Sequence, residues 1–246
     1  MKLQGKRALI TGASKGIGRA TAIACAKEGC SVAINFNRDS NAAREVLKEC
    51  NKHSEGNFIA KADVSKEKDL KAMMGEIKKR FHRLDVLVNS AGIFDEGDAP
   101  TNIAAFENVY KNNFLSAIMA TKYSLLLMKE GKIVNVSSIH GRLGYGRPTA
   151  IAYSAFKAAL ESYTKNFAKA VAPKILVNAV APGAVKTPMW GRLSAKEEKA
   201  ISAKHLIQRM IQPEEIADAV LFLLKNDAMC GEIMTIDGGS SLMHLG

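Results

Sequence analysis

Short apolar runs alternate with helical stretches almost throughout this chain, and that alternation restricts its fold more than any other feature. The runs occupy 7–11, 31–36, 57–60, 84–89, 132–137, 175–180 and 232–236. Helical periodicity fills 17–28, 41–51, 66–80, 106–129 and 213–224, and a further helix carries Tyr153 to Val171. Gly29 and Pro173 stand where two of these helices stop, and Pro213 opens another. Nearly uninterrupted apolar strands separated by helices belong in a parallel sheet covered on both faces. The expectation is an α/β, doubly wound parallel sheet forming a single domain over residues 1–246, with no internal repeat and no Pro/Gly/Ser linker.

Length and composition are compatible with this. A chain of 246 residues, 47% hydrophobic, buries enough surface to need no covalent staples. Cys25, Cys30, Cys50 and Cys230 form no CxxC pair and no His/Cys cluster with metal spacing, so no metal is expected and the thiols read as reduced. The residues before the first strand lack signal-peptide design, and no apolar run reaches the ~18 residues of a membrane span. A cytoplasmic protein without membrane association is expected. The net charge of +11 would suit nucleic acid, a phosphorylated cofactor or an acidic partner. However, Lys66, Lys68, Lys71, Lys78, Lys79 and Arg80 read as the solvated side of one helix, with no basic tail and no aromatic interleaving. General solvation explains most of the charge, and no nucleic-acid partner is expected.

Tyr153 and Lys157 stand four residues apart, fifteen and more beyond Ser138. On a helix, both side chains leave the same face, one turn apart. A phenol of reference pKa about 10 exchanges protons poorly near neutrality, and a neighbouring ammonium favours its phenolate. Ser138 alongside could hydrogen-bond a carbonyl or hydroxyl, which makes the set a proton-transfer device for interconverting C=O and CH–OH. Taken alone, the pair reads more readily as an exposed helical couple.

The rest of the chain favours chemistry. Thr11-Gly12-Ala13-Ser14-Lys15-Gly16-Ile17-Gly18 follows the first strand and opens the first helix, where glycines let a backbone approach a pyrophosphate. Its Gly-xxx-Gly-x-Gly spacing, together with Asn89-Ser90-Ala91-Gly92, the Phe106–Val109–Asn113 pattern, Ser137-Ser138-Ile139-His140-Gly141, Tyr153/Lys157, Pro182-Gly183-Ala184-Val185-Lys186-Thr187 and Asp237-Gly238-Gly239, resembles the short-chain dehydrogenase/reductases from Lys6 to Ser241.

That resemblance implies a Rossmann-type fold and hydride transfer between a nicotinamide and a substrate carbonyl. It implies Tyr153 as proton donor, Lys157 on the nicotinamide ribose, Ser138 on the carbonyl oxygen, and Asn113 holding a water that links Lys157 to solvent. Asn112 competes for the last role, and the spacing favours Asn113. Cofactor contacts are implied at Gly12, Ser14, Lys15, Gly16, Ile17, Gly18, Asn37, Arg38, Asp63, Val64, Asn89, Ala91, Gly92, Tyr153, Lys157, Pro182, Gly183, Val185 and Thr187. Phe36, Asn37 and Arg38 stand where NAD-preferring members place an acid, and with Lys15 they imply NADP(H) over NAD(H).

The substrate implied first is a 3-oxoacyl thioester on an acidic acyl-carrier protein. A glucose 1-dehydrogenase-like sugar or polyol dehydrogenase is the second reading, and a noncatalytic NADP-binding sensor the remote one. The family implies a homotetramer paired through the helices of Asn113 and Tyr153 and the C-terminal segment, with Phe167, Val171 and Leu242 as contact candidates. Residues 187–212 read as a substrate lid. The long stretch from Ser138 to Tyr153, with Arg142, Tyr145 and Arg147, is expected to reshape the substrate mouth.

Overall fold

Successive side chains of a strand face opposite sides of a sheet, and here that rule decides which helix packs where. A computed structural model of the chain describes residues 1–142 and 148–243. Its strands are β1 (Arg7–Ile10), β2 (Ser31–Phe36), β3 (Phe58–Lys61), β4 (Val86–Asn89), β5 (Gly131–Val136), β6 (Ile175–Pro182) and β7 (Ile233–Ile236). They form one seven-stranded sheet in the order β3-β2-β1-β4-β5-β6-β7, parallel throughout.

Ala8 and Ile10 of β1, Val32 and Ile34 of β2, Val86 and Val88 of β4 and Val134 of β5 share one core with three helices. These are α1 (Gly16–Lys27), α2 (Ser40–Cys50) and the helix over Pro213–Lys225. The intervening residues Leu9, Ala33, Leu87, Ile133 and Val177 face a second core. It is built by α3 (Glu67–Phe81), whose Leu70, Met73, Met74, Ile77 and Phe81 are buried while its lysines face solvent, and by two helices described next.

The stretch expected as one helix over 106–129 is three pieces. Asn102 caps α4 (Ile103–Val109) by accepting from the Ala105 N–H at 3.2 Å. A π-helical turn follows over Tyr110–Leu115, then α5 (Ser116–Ser124). The helix stops early because the chain folds back: Leu127 N–H bonds Ser124 O, and Leu127 O accepts the Leu84 N–H leading into β4. Beyond β5, α6 (Ile151–Val171) carries Tyr153 and Lys157.

Residues 187–212 hold a 3-10 turn at Pro188–Trp190 and α7 (Ala195–Ser202), entered through a Ser194/Glu197 capping box. Pro213–Lys225 is α8, and α9 (Ser240–Met243) ends the described chain. Of the residues expected to shape the substrate mouth, Tyr145 and Arg147 lie outside the described residues. Arg142 does not serve there: its guanidinium donates to Ile233 O at 2.8 Å and lies 3.5 Å from Glu161. Among the described residues no helix is long and apolar enough to cross a membrane. All four cysteines are free, and only Cys230 is exposed.

Candidate active site

In a doubly wound sheet, the crevice opens at the carboxyl ends of the strands where the order reverses, here between β1 and β4. Gly12 to Gly18 lead out of β1. Asn37 and Arg38 follow β2, Asp63 and Val64 follow β3, and Ala91 and Gly92 follow β4. Ser138 follows β5, and Gly183, Val185 and Thr187 follow Pro182 at the end of β6. Residues scattered over the whole chain thus reach one edge.

The Gly-rich turn is pinned from below. Gly12 has φ +64°, and a Cβ there would lie 2.8 Å from Ala91 Cα; a Cβ on Gly18 would lie 2.5 Å from Gly12 O. Only hydrogen fits at either place. The Gly12 N–H donates to Asn35 Oδ1 at 3.1 Å, while the buried Asn35 amide donates to the carbonyls of Ala60 and Ala62. Thr11 Oγ1 accepts the N–H groups of Ser90 and Ala91 at 3.0 and 3.1 Å, which joins this turn to the one after β4. Thr187 approaches Gly16 from the β6 side.

These contacts leave a seat for an anion. Lys15, the residue preceding α1, makes no side-chain cap, and the first turn of α1 contains no acid. Its N-terminal N–H groups and the positive end of its dipole therefore face the crevice uncompensated. A cavity of about 350 Å³ adjoins this turn on its α2 and α8 side, lined by Ser14, Lys15, Gly16, Arg19, Glu45 and Lys186, among others. Glycines that permit close approach, free amides and cations fit a dinucleotide pyrophosphate. Among the described residues no group of His, Cys, Asp or Glu could hold a metal ion.

Lys157 is 5% exposed and donates to Val136 O at 2.7 Å. Burial pulls its ammonium down to about 8, so near neutrality it stays largely charged. Its Nζ lies 5.5 Å from the Tyr153 ring centroid, and the rings of Phe94 and His140 flank that tyrosine at 5.8 and 5.9 Å. Ser138 Oγ accepts the His140 N–H at 3.2 Å, leaving its own hydrogen for another acceptor. A cation, a phenol and a hydroxyl donor gathered beside a dinucleotide seat can exchange a proton with a carbonyl or alcohol oxygen.

Asn113 and Asn89 both engage their side-chain amides within the protein. Asn113, 1% exposed, closes both ends of its amide on Ile93: Oδ1 accepts the N–H and Nδ2 donates to the carbonyl, each at 2.8 Å. Its side chain props the loop after Gly92. Asn112 turns to Asn108 instead. Asn89 aims its amide under the sheet, donating to Asn135 Oδ1 at 2.8 Å and Thr121 Oγ1 at 3.2 Å, and Asn135 continues to Thr164. Its side chain supports the crevice floor from within the protein. Asp63 is raised by burial but held below its ordinary value overall by the Ser65 hydroxyl and N–H, with Lys66 and Asn37 adding to the effect.

Other residues of the site escaped the sequence reading. Asn35 was signalled only by being polar within an apolar strand. Asp39 had no signal, yet its carboxylate pairs with Lys15 at 2.7 Å. His205, buried, accepts the Ala184 N–H at Nε2 (3.3 Å) and faces Ile201 O through Nδ1 (3.0 Å), fastening residues 201–205 to the loop after β6.

Fold and site together define an oxidoreductase that binds a nicotinamide dinucleotide. The family model described as enoyl-(acyl carrier protein) reductase matches residues 12–241. The chain is 35% identical to a 3-oxoacyl-[acyl-carrier-protein] reductase, FabG, of Thermotoga maritima, over 97% of this chain and 99% of that one. It is 32% identical to the hydroxynaphthalene reductase-like protein Arp2 of Metarhizium acridum, over 97% and 96%. The angucycline C-6 ketoreductase LanV, solved with bound NADP, superposes with a TM-score of 0.89 at 30% identity, covering 98% of this chain and 97% of that one. The chain belongs to the short-chain dehydrogenase/reductase family: it is an NAD(P)-dependent oxidoreductase acting on carbonyl and hydroxyl groups.

Proposed function

We propose that this chain is an NADPH-dependent reductase of 3-oxoacyl thioesters presented on an acidic acyl-carrier protein. The observation that carries the reaction is the Lys157 ammonium, buried and fixed by Val136 O beneath the Tyr153 ring. A charge held there favours the phenolate and so makes the phenol a better acid. When bound, the nicotinamide supplies hydride to the carbonyl carbon. Tyr153 gives its phenolic proton to the carbonyl oxygen, and Ser138 Oγ–H holds that oxygen in place. Lys157 also takes the nicotinamide ribose hydroxyls. With the Asn113 side chain engaged on Ile93, the main chain of the π-helical turn is left to hold the water that returns protons to Lys157.

NADP(H) is favoured over NAD(H) because Lys15 and the exposed Arg38 flank the end of β2 and no carboxylate occupies 36–38. The relative from Thermotoga maritima, named for 3-oxoacyl-[acyl-carrier-protein] reduction, and the charge of +11 support the thioester and its acidic carrier. Residues 187–212 serve as the substrate lid, with Met189, Leu206 and Ile207 exposed on it for an apolar chain. We place the enzyme in the cytoplasm as a homotetramer. The half-buried aromatic series Tyr110, Phe114, Phe156, Tyr163 and Phe167 and the exposed Leu242 supply candidate contacts. A second reading, reduction of a cyclic ketone, is favoured by the Phe94 ring beside Tyr153.

The test is the initial rate of NADPH oxidation with acetoacetyl-CoA, beside a tetralone and beside glucose with NADP. Turnover of the thioester that disappears in Tyr153→Phe, with NADPH still bound, supports the proposal. Turnover of the tetralone or glucose alone moves the substrate class and leaves the proton donor. Unchanged turnover in Tyr153→Phe removes Tyr153 from that role.

A further inference from the structure

Helix α6 begins without a cap of its own. Its N-cap residue is Ala150 (φ −152°), which has no side-chain acceptor for the amides of the first turn. Such orphan N–H groups are costly when buried. They are satisfied from far away in sequence: Asp98 Oδ1 accepts the Ala152 N–H at 2.8 Å and Oδ2 the Tyr153 N–H at 2.9 Å. Asp98 is 3% exposed. A carboxylate at this helix end also meets the positive end of the dipole, and both bonds are charge-assisted.

The loop that presents Asp98 is itself fastened. The Asp98 N–H donates to Asp95 O at 3.0 Å. Asn102, the cap of α4, donates to Gly97 O at 2.8 Å, and Asn108 of α4 donates to Asp95 Oδ2 at 2.7 Å. The same loop contributes Phe94, whose ring packs 5.8 Å from that of Tyr153. Tyr153 is thus held at its main chain by Asp98 and at its ring by Phe94, both from one segment anchored to α4.

We propose that Asp98 is a positioning residue for the reaction: its carboxylate, clamped on the amides of Ala152 and Tyr153, sets the first turn of α6 and so the place of the Tyr153 hydroxyl. This rests on the reading of Tyr153 as proton donor. An ordinary buried cap would affect stability alone, whereas a clamp on the reacting residue's own amide acts on the chemical step.

The test compares Asp98→Ala and the near-isosteric Asp98→Asn with wild type and Tyr153→Phe, using acetoacetyl-CoA, the tetralone and glucose as probes. Asp98→Ala is expected to lower kcat by about 10- to 100-fold, since small misplacements of a reacting group cost that much. The NADPH dissociation constant, read by nicotinamide fluorescence, is expected to stay within about twofold, as for a change confined to the transition state. Asp98→Asn keeps acceptor oxygen and is expected to recover part of kcat. It also carries the test should Asp98→Ala not fold.

Independently of substrate, hydrogen exchange at the amides of Ala152 and Tyr153 is expected to accelerate in Asp98→Ala while the rest of α6 stays protected. Unchanged exchange at those amides overturns the clamp. Faster exchange with kcat intact, or an equal loss of NADPH binding, overturns the positioning role. Turnover retained in Tyr153→Phe would instead bring down the underlying reading of Tyr153.

Discussion

Asp39 closes an ion pair with Lys15 across 2.7 Å, joining the residue before α2 to the residue before α1 at the lip of the Gly-rich turn. The same carboxylate caps α2 through the Ala42 N–H, and the Lys15 ammonium holds it below its ordinary pKa. One of the two cations proposed for a 2′-phosphate is therefore already shared. An incoming phosphate must compete with Asp39 for Lys15.

Replacing Asp39 by Asn keeps the cap, because Asn and Asp serve equally there, and releases the cation. The expected result is a KM for NADPH lowered several-fold with the KM for NADH nearly unchanged. Steady-state rates with both coenzymes check it; equal changes in the two would show that Lys15 takes no part in their discrimination.

Lys157 yields a pH signature. Burial lowers its folded-state value to about 8, against 10.5 in the unfolded chain. Between those values the unfolded chain binds the extra proton, so the penalty for burying this ammonium is full below pH 8 and fades as pH rises towards 10.5. Lys157→Met is expected to be more stable than wild type at pH 7, with the advantage shrinking by about 3 kcal/mol towards pH 10.5. Urea unfolding of both proteins across that range measures it. Curves that stay parallel would place the lysine in a more polar setting.

Gly141 lies where the turn after Ser138 touches α6. A Cβ there would fall 2.8 Å from both Ala158 N and the Lys157 carbonyl carbon, backbone atoms that cannot swing aside. Gly141→Ala is expected to push Ser138 and Tyr153 apart and lower kcat by about tenfold or more, with NADPH affinity held, since misplaced reacting groups are penalised steeply. Single-turnover rates beside coenzyme titrations separate these. A fully active variant would show that the turn yields freely.

Asp227 predicts behaviour in acid. The buried Lys132 ammonium and the N-terminal amine, both within 2.8 Å, hold its carboxyl down to about 2. A folded value below the unfolded 3.8 adds stability that is full above pH 4 and lost as pH falls through 2. Asp227→Asn is accordingly expected to melt below wild type at pH 6 and together with it near pH 2. Thermal scans at both pH values decide this, and a gap that persists at pH 2 would mean packing rather than charge is responsible.

The strands were legible within a residue or two because each is a run of apolar side chains, a property carried locally. The break in the expected 106–129 helix was not legible. The π-helical turn places Asn113 against Ile93, and the stop at Ser124 depends on Leu127 pairing with Leu84; both partners are remote in sequence. The same division runs through the site. Gly12, Gly18, Ser138, Tyr153 and Lys157 stand in short patterns whose spacing already expresses their geometry.

Asp39, Asp98, Asn35 and His205 belong to no such pattern. An aspartate in a loop reads alike whether it meets solvent or the amides of a helix fifty-four residues away. From sequence alone follow the alternating parallel architecture, the dinucleotide turn and the tyrosine–lysine pair, since each depends on side chains within one or two turns of chain. Only the tertiary structure decided that Lys15 is shared with Asp39, that Asn113 and Asn89 spend their amides on support, and that Asp98 grips the helix bearing Tyr153. A hydrogen bond is decided by distance in space, and the chain's own order does not record it.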